Sequence, residues 1–99
     1  MATVLLEANA DKVYNTAVDL LKRNPNATIN YREDASRQIE FTDGKILAAM
    51  KVSRLEDNLS QLLISSTITP GQPGGTSFVV ERVFHLCEKM GVHCTLAKD

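Results

Sequence analysis

The sequence predicts an α+β fold: an antiparallel sheet of four to six strands with two helices on one face, in the order β-α-β-β-β-β-α-(β). Three observations carry this. Apolar residues recur at helical spacing in two stretches, near residues 10–21 and 79–90. Between them the spacing falls to two. The strand-like stretches also follow one another directly, which favours antiparallel pairing with the helices gathered on one side. At 99 residues the chain is expected to form a single α+β domain over residues 1–99.

Val4, Leu6 and Ala8 alternate with Thr3, Leu5 and Glu7 and predict a short first strand. Asn9 suits a helix N-cap because its side-chain oxygen can accept an early amide N–H. Ala10, Val13, Tyr14, Ala17, Leu20 and Leu21 then form one helical face. Asn24 and Pro25 end that helix, since the residue before proline avoids the α region. Ile29 and Tyr31 alternate with Asn30 and Arg32, and a turn follows at residues 34–36. Asp43 and Gly44 read as a two-residue hairpin loop of type I′, with positive φ at both positions. That loop sets Thr42 opposite Lys45, Phe41 opposite Ile46 and Ile39 opposite Ala48, so the apolar sets of both strands share a face.

The next strand continues through Ala48, Met50 and Val52. A loop at residues 54–58 leads to another strand over about 60–69, with Leu62 and Ile64 facing the core. The Pro/Gly segment 70–75 interrupts regular structure. Thr76 or Ser77 is expected to cap the second helix, whose buried stripe is Val79, Val80, Val83, Leu86, Cys87 and Met90. Gly91 fits the left-handed position after its end. Residues 92–96 complete a short last strand.

Composition excludes several functions. A net charge of −1 offers no basic field for nucleic acid. No apolar stretch approaches the ~20 residues of a membrane-spanning helix. The first residues lack the basic start of a signal peptide, and Glu7 interrupts their apolar run. They read either as a native start or as a mature chain with an added Met1.

Cys87 and Cys94 flank the end of the second helix, and the turn at Gly91 can bring them to the roughly 4.4–6.8 Å Cα separation of a disulfide. Closing that loop contributes ~2.5 kcal/mol on the chain-entropy model. Two reduced cysteines acting as small apolar fillers are the alternative. A bond would place the chain in an oxidising compartment such as the periplasm; without one, a cytoplasmic location stays open. His85, Cys87, His93 and Cys94 are zinc-type ligands, but their spacing on a helix and a strand keeps all four from converging. No metal or cofactor is therefore expected.

Nucleophile elbows, Cys-x-x-Cys and His-Glu-x-x-His motifs are missing. The carboxylates Glu33, Asp34, Glu40, Asp43, Glu56 and Asp57 cluster at turns and suit solvation. No catalytic residue is assigned. With Ile46, Ala48, Met50 and Val52 facing the helices, Leu47 and Ala49 face away, as do Leu5 and Leu63 on their strands. If adjacent, these four form an apolar strip that would suit a protein partner or a homodimer.

Residues 10–14 (ADKVY), 39–44 (IEFTDG) and 86–92 (LCEKMGV) resemble segments of small bacterial envelope proteins of unassigned function. That resemblance implies the same architecture and a periplasmic or envelope location, with no catalytic residues to carry over. The sequence thus reads as a non-catalytic envelope domain that binds a partner or itself through the open sheet face. A carrier of a small apolar ligand between helices and sheet is the alternative, although few aromatics and a short chain leave little room for a cavity of ~300 Å³. An enzyme using the loop 70–77 with a turn carboxylate is the third reading.

Overall fold

The computed structural model describes residues 2–66 and 75–97. Within them the chain runs β1 (Ala2–Leu6), α1 (Ala10–Arg23), β2 (Ala27–Glu33), β3 (Gln38–Asp43), β4 (Ile46–Glu56), β5 (Leu59–Ser66), α2 (Gly75–Met90) and β6 (Cys94–Ala97). The class and element order are those the sequence predicts. All strands join one antiparallel sheet in the spatial order β2-β3-β4-β5-β1-β6. The central strands are β4 and β5, and the apolar residues of their inner face (Ala48, Met50, Val52, Leu62 and Ile64) are all buried. Helix α1 packs over β2, β4 and β5, and α2 over β5 and β1.

Asn9 caps α1 as expected, its side-chain oxygen accepting from the amides of Asp11 (3.0 Å) and Lys12 (3.3 Å). Ala10, Val13, Tyr14 and Ala17 are buried, joined by Val18. Leu20 and Leu21 belong to the same face yet stay half-exposed, because the neighbouring helix does not close over the last turns of α1. Asn24 ends the helix in an extended conformation, as Pro25 requires. At the end of α2 the amide of Val92 bonds the carbonyl of Cys87, and that of Gly91 bonds Glu88, both at 3.1 Å. With Gly91 at φ +67°, this is the paired Schellman arrangement that satisfies terminal carbonyls. The N-terminus of α2 lies at Gly75, ahead of the expected caps Thr76 and Ser77.

The hairpin loop differs from the expected one. Asp43 pairs with Ile46, Thr42 with Leu47 and Phe41 with Ala48, so Gly44 and Lys45 make the loop. Gly44 has φ +63°, whereas Lys45 is not among the positive-φ residues. A single positive φ at the first loop position is the pattern of a II′ turn, which asks for glycine there, rather than of I′. Each strand slips by one residue relative to the expected pairing. The two slips preserve the faces, so Ile39, Phe41, Ile46, Ala48 and Met50 still point to the core. The change falls on Asp43, which moves from the loop into the strand and onto the inner face.

A bulge at Asn30 corrects the reading of β2. Ile29 pairs with Phe41 on the inner face, but Tyr31 pairs with outward-facing Glu40, and Arg32 with inward-facing Ile39. The extra residue flips the alternation. Tyr31 is therefore half-exposed on the outer face, and Arg32 is delivered toward α1.

One buried polar atom is an exception in the core. Ser60 Oγ has no hydrogen-bond partner among the described residues, although Ser60 is fully buried beside Leu6. A buried hydroxyl without a partner costs ~1–3 kcal/mol. Ser60→Ala is therefore expected to raise stability by about 1 kcal/mol in urea denaturation; a loss of that size would reveal a partner for the hydroxyl.

Candidate functional site

The last turns of α1 and the middle of α2 stand apart above β3 and β4. Between them lies a cleft of about 240 Å³. Its walls are Ala17, Leu20 and Leu21 from α1 and Val83 and Leu86 from α2, and its floor is Phe41 and Met50. The half-exposure of Leu20 and Leu21 thus has a cause: they line this opening. Arg23 and Asn24 edge it from α1, and Arg82, His85 and Lys89 from α2. Positions 82, 85, 86 and 89 follow helical spacing on one side of α2, so the polar rim and the apolar wall come from the same helix face.

Asp43 completes the cleft. It is buried, and its Oδ2 accepts from Arg82 Nη2 at 3.2 Å, while Arg82 itself is half-exposed. A buried carboxylate requires such a partner, so the pair fixes a guanidinium over the mouth. Read from sequence, Asp43 is a solvated turn residue. The slipped hairpin is what buries it, and no signal in the sequence distinguished the two loops. The sequence reading does not single out Arg82 or Lys89, and names His85 only as a zinc-type ligand; their helical spacing around Leu86 is the available signal.

A second polar cluster lies where β2 and β3 meet α1. The Tyr14 hydroxyl donates to Asp34 Oδ1 at 2.6 Å, and Arg32 grips both oxygens of Asp34, Nε to Oδ1 at 2.9 Å and Nη2 to Oδ2 at 3.2 Å. Arg37 Nε reaches Asp11 Oδ1 on the same helix at 2.8 Å. These bonds fasten the β2–β3 turn to α1. The Arg32 hydrogen bonds, followed by that from Tyr14, hold the Asp34 carboxyl below its ordinary value of 3.8. Burial, then the bond to Asp34, pushes the Tyr14 hydroxyl above 10.0. A carboxyl with a depressed folded-state pKa stabilises the fold above its unfolded value, and that contribution is lost as pH falls through the folded value. Asp34→Asn should therefore destabilise at neutral pH and match the wild type in strong acid. Thermal melts along a pH series check this, and a difference that persists in acid would refute the assignment.

Cys87 and Cys94 form a disulfide with Cα atoms 6.3 Å apart, inside the usual range. It joins the last turn of α2 to the edge strand β6. Among the described residues no group of three His, Cys, Asp or Glu side chains gathers as a metal site. The loop 70–77 lies outside the described residues, apart from the start of α2.

The four residues of the expected outer strip do not adjoin as rows. Leu47 pairs with Thr42, and Ala49 sits between Glu40 and Ser65. Leu63 lies between Lys51 and Thr3, and Leu5 between Gln61 and Thr95. Leu47 is exposed, while Leu5, Ala49 and Leu63 are partly covered. Each has a polar residue directly across on a neighbouring strand, and the four meet along a diagonal instead: Leu47 and Ala49 two apart on β4, Ala49 beside Leu63, and Leu63 beside Leu5. A hollow of about 240 Å³ also lies on this face, but besides Leu47 its lining is Ala48, Ala49, Glu40, Ser65 and Ser66. It has neither the aromatic floor nor the anchored charge of the inner cleft.

No family model matches the chain, and no curated protein matches it. Solved structures do. The di-domain aromatase/cyclase StfQ of the steffimycin biosynthetic pathway superposes with a TM-score of 0.60 at 12% identity, covering 87% of this chain and 41% of that one. The Zhui aromatase/cyclase of Streptomyces sp. R1128 gives 0.51 at 17% identity, covering 85% of this chain and 84% of that one. The chain thus spans 41% of the length of the di-domain protein. At these identities the likeness is one of fold.

It nevertheless overturns the expectation of a non-catalytic envelope domain acting through its open sheet face. Both neighbours are named as enzymes, so this fold supports catalysis, and missing short motifs do not argue against it. Among the described residues no helix is long and apolar enough to cross a membrane.

Proposed function

We propose that this chain binds a small, largely apolar molecule in the cleft between α1, α2 and the sheet. The observation that carries the reading is the half-open wall of Leu20 and Leu21 facing Val83 and Leu86 over Phe41 and Met50. Apolar side chains left beside a concave space, with a few convergent polar groups at its edge, are the usual composition of a small-molecule site. The volume falls just below the ~300 Å³ of drug-sized pockets, which restricts the ligand to a small one. The fold shared with two aromatase/cyclases supports the same reading. Chemistry on a bound molecule would fall to the Asp43 carboxylate and the His85 imidazole, the lining side chains of the types used in general acid–base catalysis.

The disulfide supports residence in an oxidising compartment such as the periplasm. Titrating isotope-labelled protein with octanol tests the binding reading. Chemical-shift changes should centre on Leu20, Phe41, Met50 and Val83. Changes confined to the outer face around Leu47 and Leu63, or none with octanol and none with octanoate, would overturn it.

A further inference from the structure

We infer that the cleft selects an amphipathic anion: a small molecule with an apolar body and a carboxylate-type head that lies against Arg82 and Lys89. The inference rests on the reading that the cleft binds a small molecule, and it adds the chemical class. The chain as a whole carries a net charge of −1, yet the cleft is edged by three cations, Arg23, Arg82 and Lys89, against a single acid, Asp43. Asp43 is matched by Arg82, and Arg23 has Asp19 at 3.6 Å on its exposed side. Lys89 therefore adds a positive charge that no acid of the lining offsets.

Geometry reinforces the charge. Arg82 and Lys89 lie two helical turns apart on one side of α2, so both border the same mouth. Asp43 holds the Arg82 guanidinium in place before any ligand arrives, which lowers the ordering cost of binding. Guanidinium is also the side chain whose fork suits a carboxylate. Beneath these groups Phe41, Met50 and Val83 offer only apolar surface. A charged head above an apolar body is the shape complementary to that layering. A cationic head would meet like charge, and a neutral head would forgo the charge-assisted contact.

Octanoate, octanol and octylamine share a tail and differ in head, so calorimetric titration with each, located by chemical-shift mapping, tests the inference. Octanoate should bind in the cleft about tenfold or more tighter than octanol at low salt, the size of one charge-assisted contact. Added salt should narrow that margin. Lys89→Gln leaves the Asp43–Arg82 pair intact; it should cut the affinity for octanoate severalfold and that for octanol far less. Equal binding of octanol, or tighter binding of octylamine, would overturn the anion preference while leaving the ligand cleft standing. Octanoate bound in the cleft with octanol undetectable would support both. No probe in the cleft would remove both.

Discussion

Reducing the Cys87–Cys94 bond should lower stability by about 2.5 kcal/mol, the chain-entropy estimate for so short a loop. The native ensemble loses little contact energy, because Cys87 stays buried against the core. The unfolded chain gains the freedom the bond had removed. Domains of this size are stable by only ~5–15 kcal/mol, so the loss is a large share and should lower the melting temperature by about 10–20 °C. Melts with and without reductant measure it. A Cys87→Ala/Cys94→Ala variant should behave like the reduced protein and be insensitive to reductant. The unreduced mass should be two hydrogens below that of the reduced chain. Two thiols that alkylate freely in the native, unreduced protein would refute the bond.

The structure explains why the staple lies where it does. β6 is a short edge strand held on one side by β1, and its Leu96 is half-exposed even though it pairs with fully buried Val4. Little apolar area is left to retain this strand. The Schellman turn at Gly91 and the bond from Glu7 N–H to the His93 carbonyl at 3.0 Å set its approach, and the disulfide fixes it to α2. Since α2 also supplies Val83 and Leu86 to the cleft, the bond steadies one wall of the site.

Much of this architecture is legible in sequence because it depends on local periodicity. The α1 stripe, the Asn9 cap, the Gly91 terminus and the inner faces of β3, β4 and β5 each follow from residue type and spacing. Two features of the strands are not legible, and both concern counting along a ladder. The dipeptide at 43 and 44 suits a I′ loop, whereas the glycine at 44 suits a II′ loop starting one residue later. Side-chain alternation cannot choose between them, because slipping both strands together preserves the faces. The bulge at Asn30 likewise leaves no mark beyond an asparagine, whose side-chain nitrogen donates to Thr42 Oγ1 at 2.7 Å. Those two offsets bury Asp43 and aim Arg32. The short chain argues against a cleft, yet one arises because the helices diverge, a tertiary property that helical stripes alone do not encode.

The Asp43–Arg82 pair provides the second large effect. Arg82→Ala removes the partner of a buried carboxylate, and a buried charge left alone is far costlier than the pair was favourable. Breaking a fully buried pair costs ~3–5 kcal/mol. Here the guanidinium is half-exposed, so water can reach that side and the expected loss is about 2 kcal/mol. Asp43→Asn keeps the shape and removes the charge, so it should cost less. Combined with Arg82→Ala it should restore most of the stability lost by Arg82→Ala alone, because no uncompensated charge remains. Denaturant midpoints of the four proteins close this cycle. Strict additivity would mean that the two side chains do not interact. A recovered double variant would show that the carboxylate anchors the guanidinium at the mouth of the cleft, and that the slip in the hairpin, by burying Asp43, is what builds the rim.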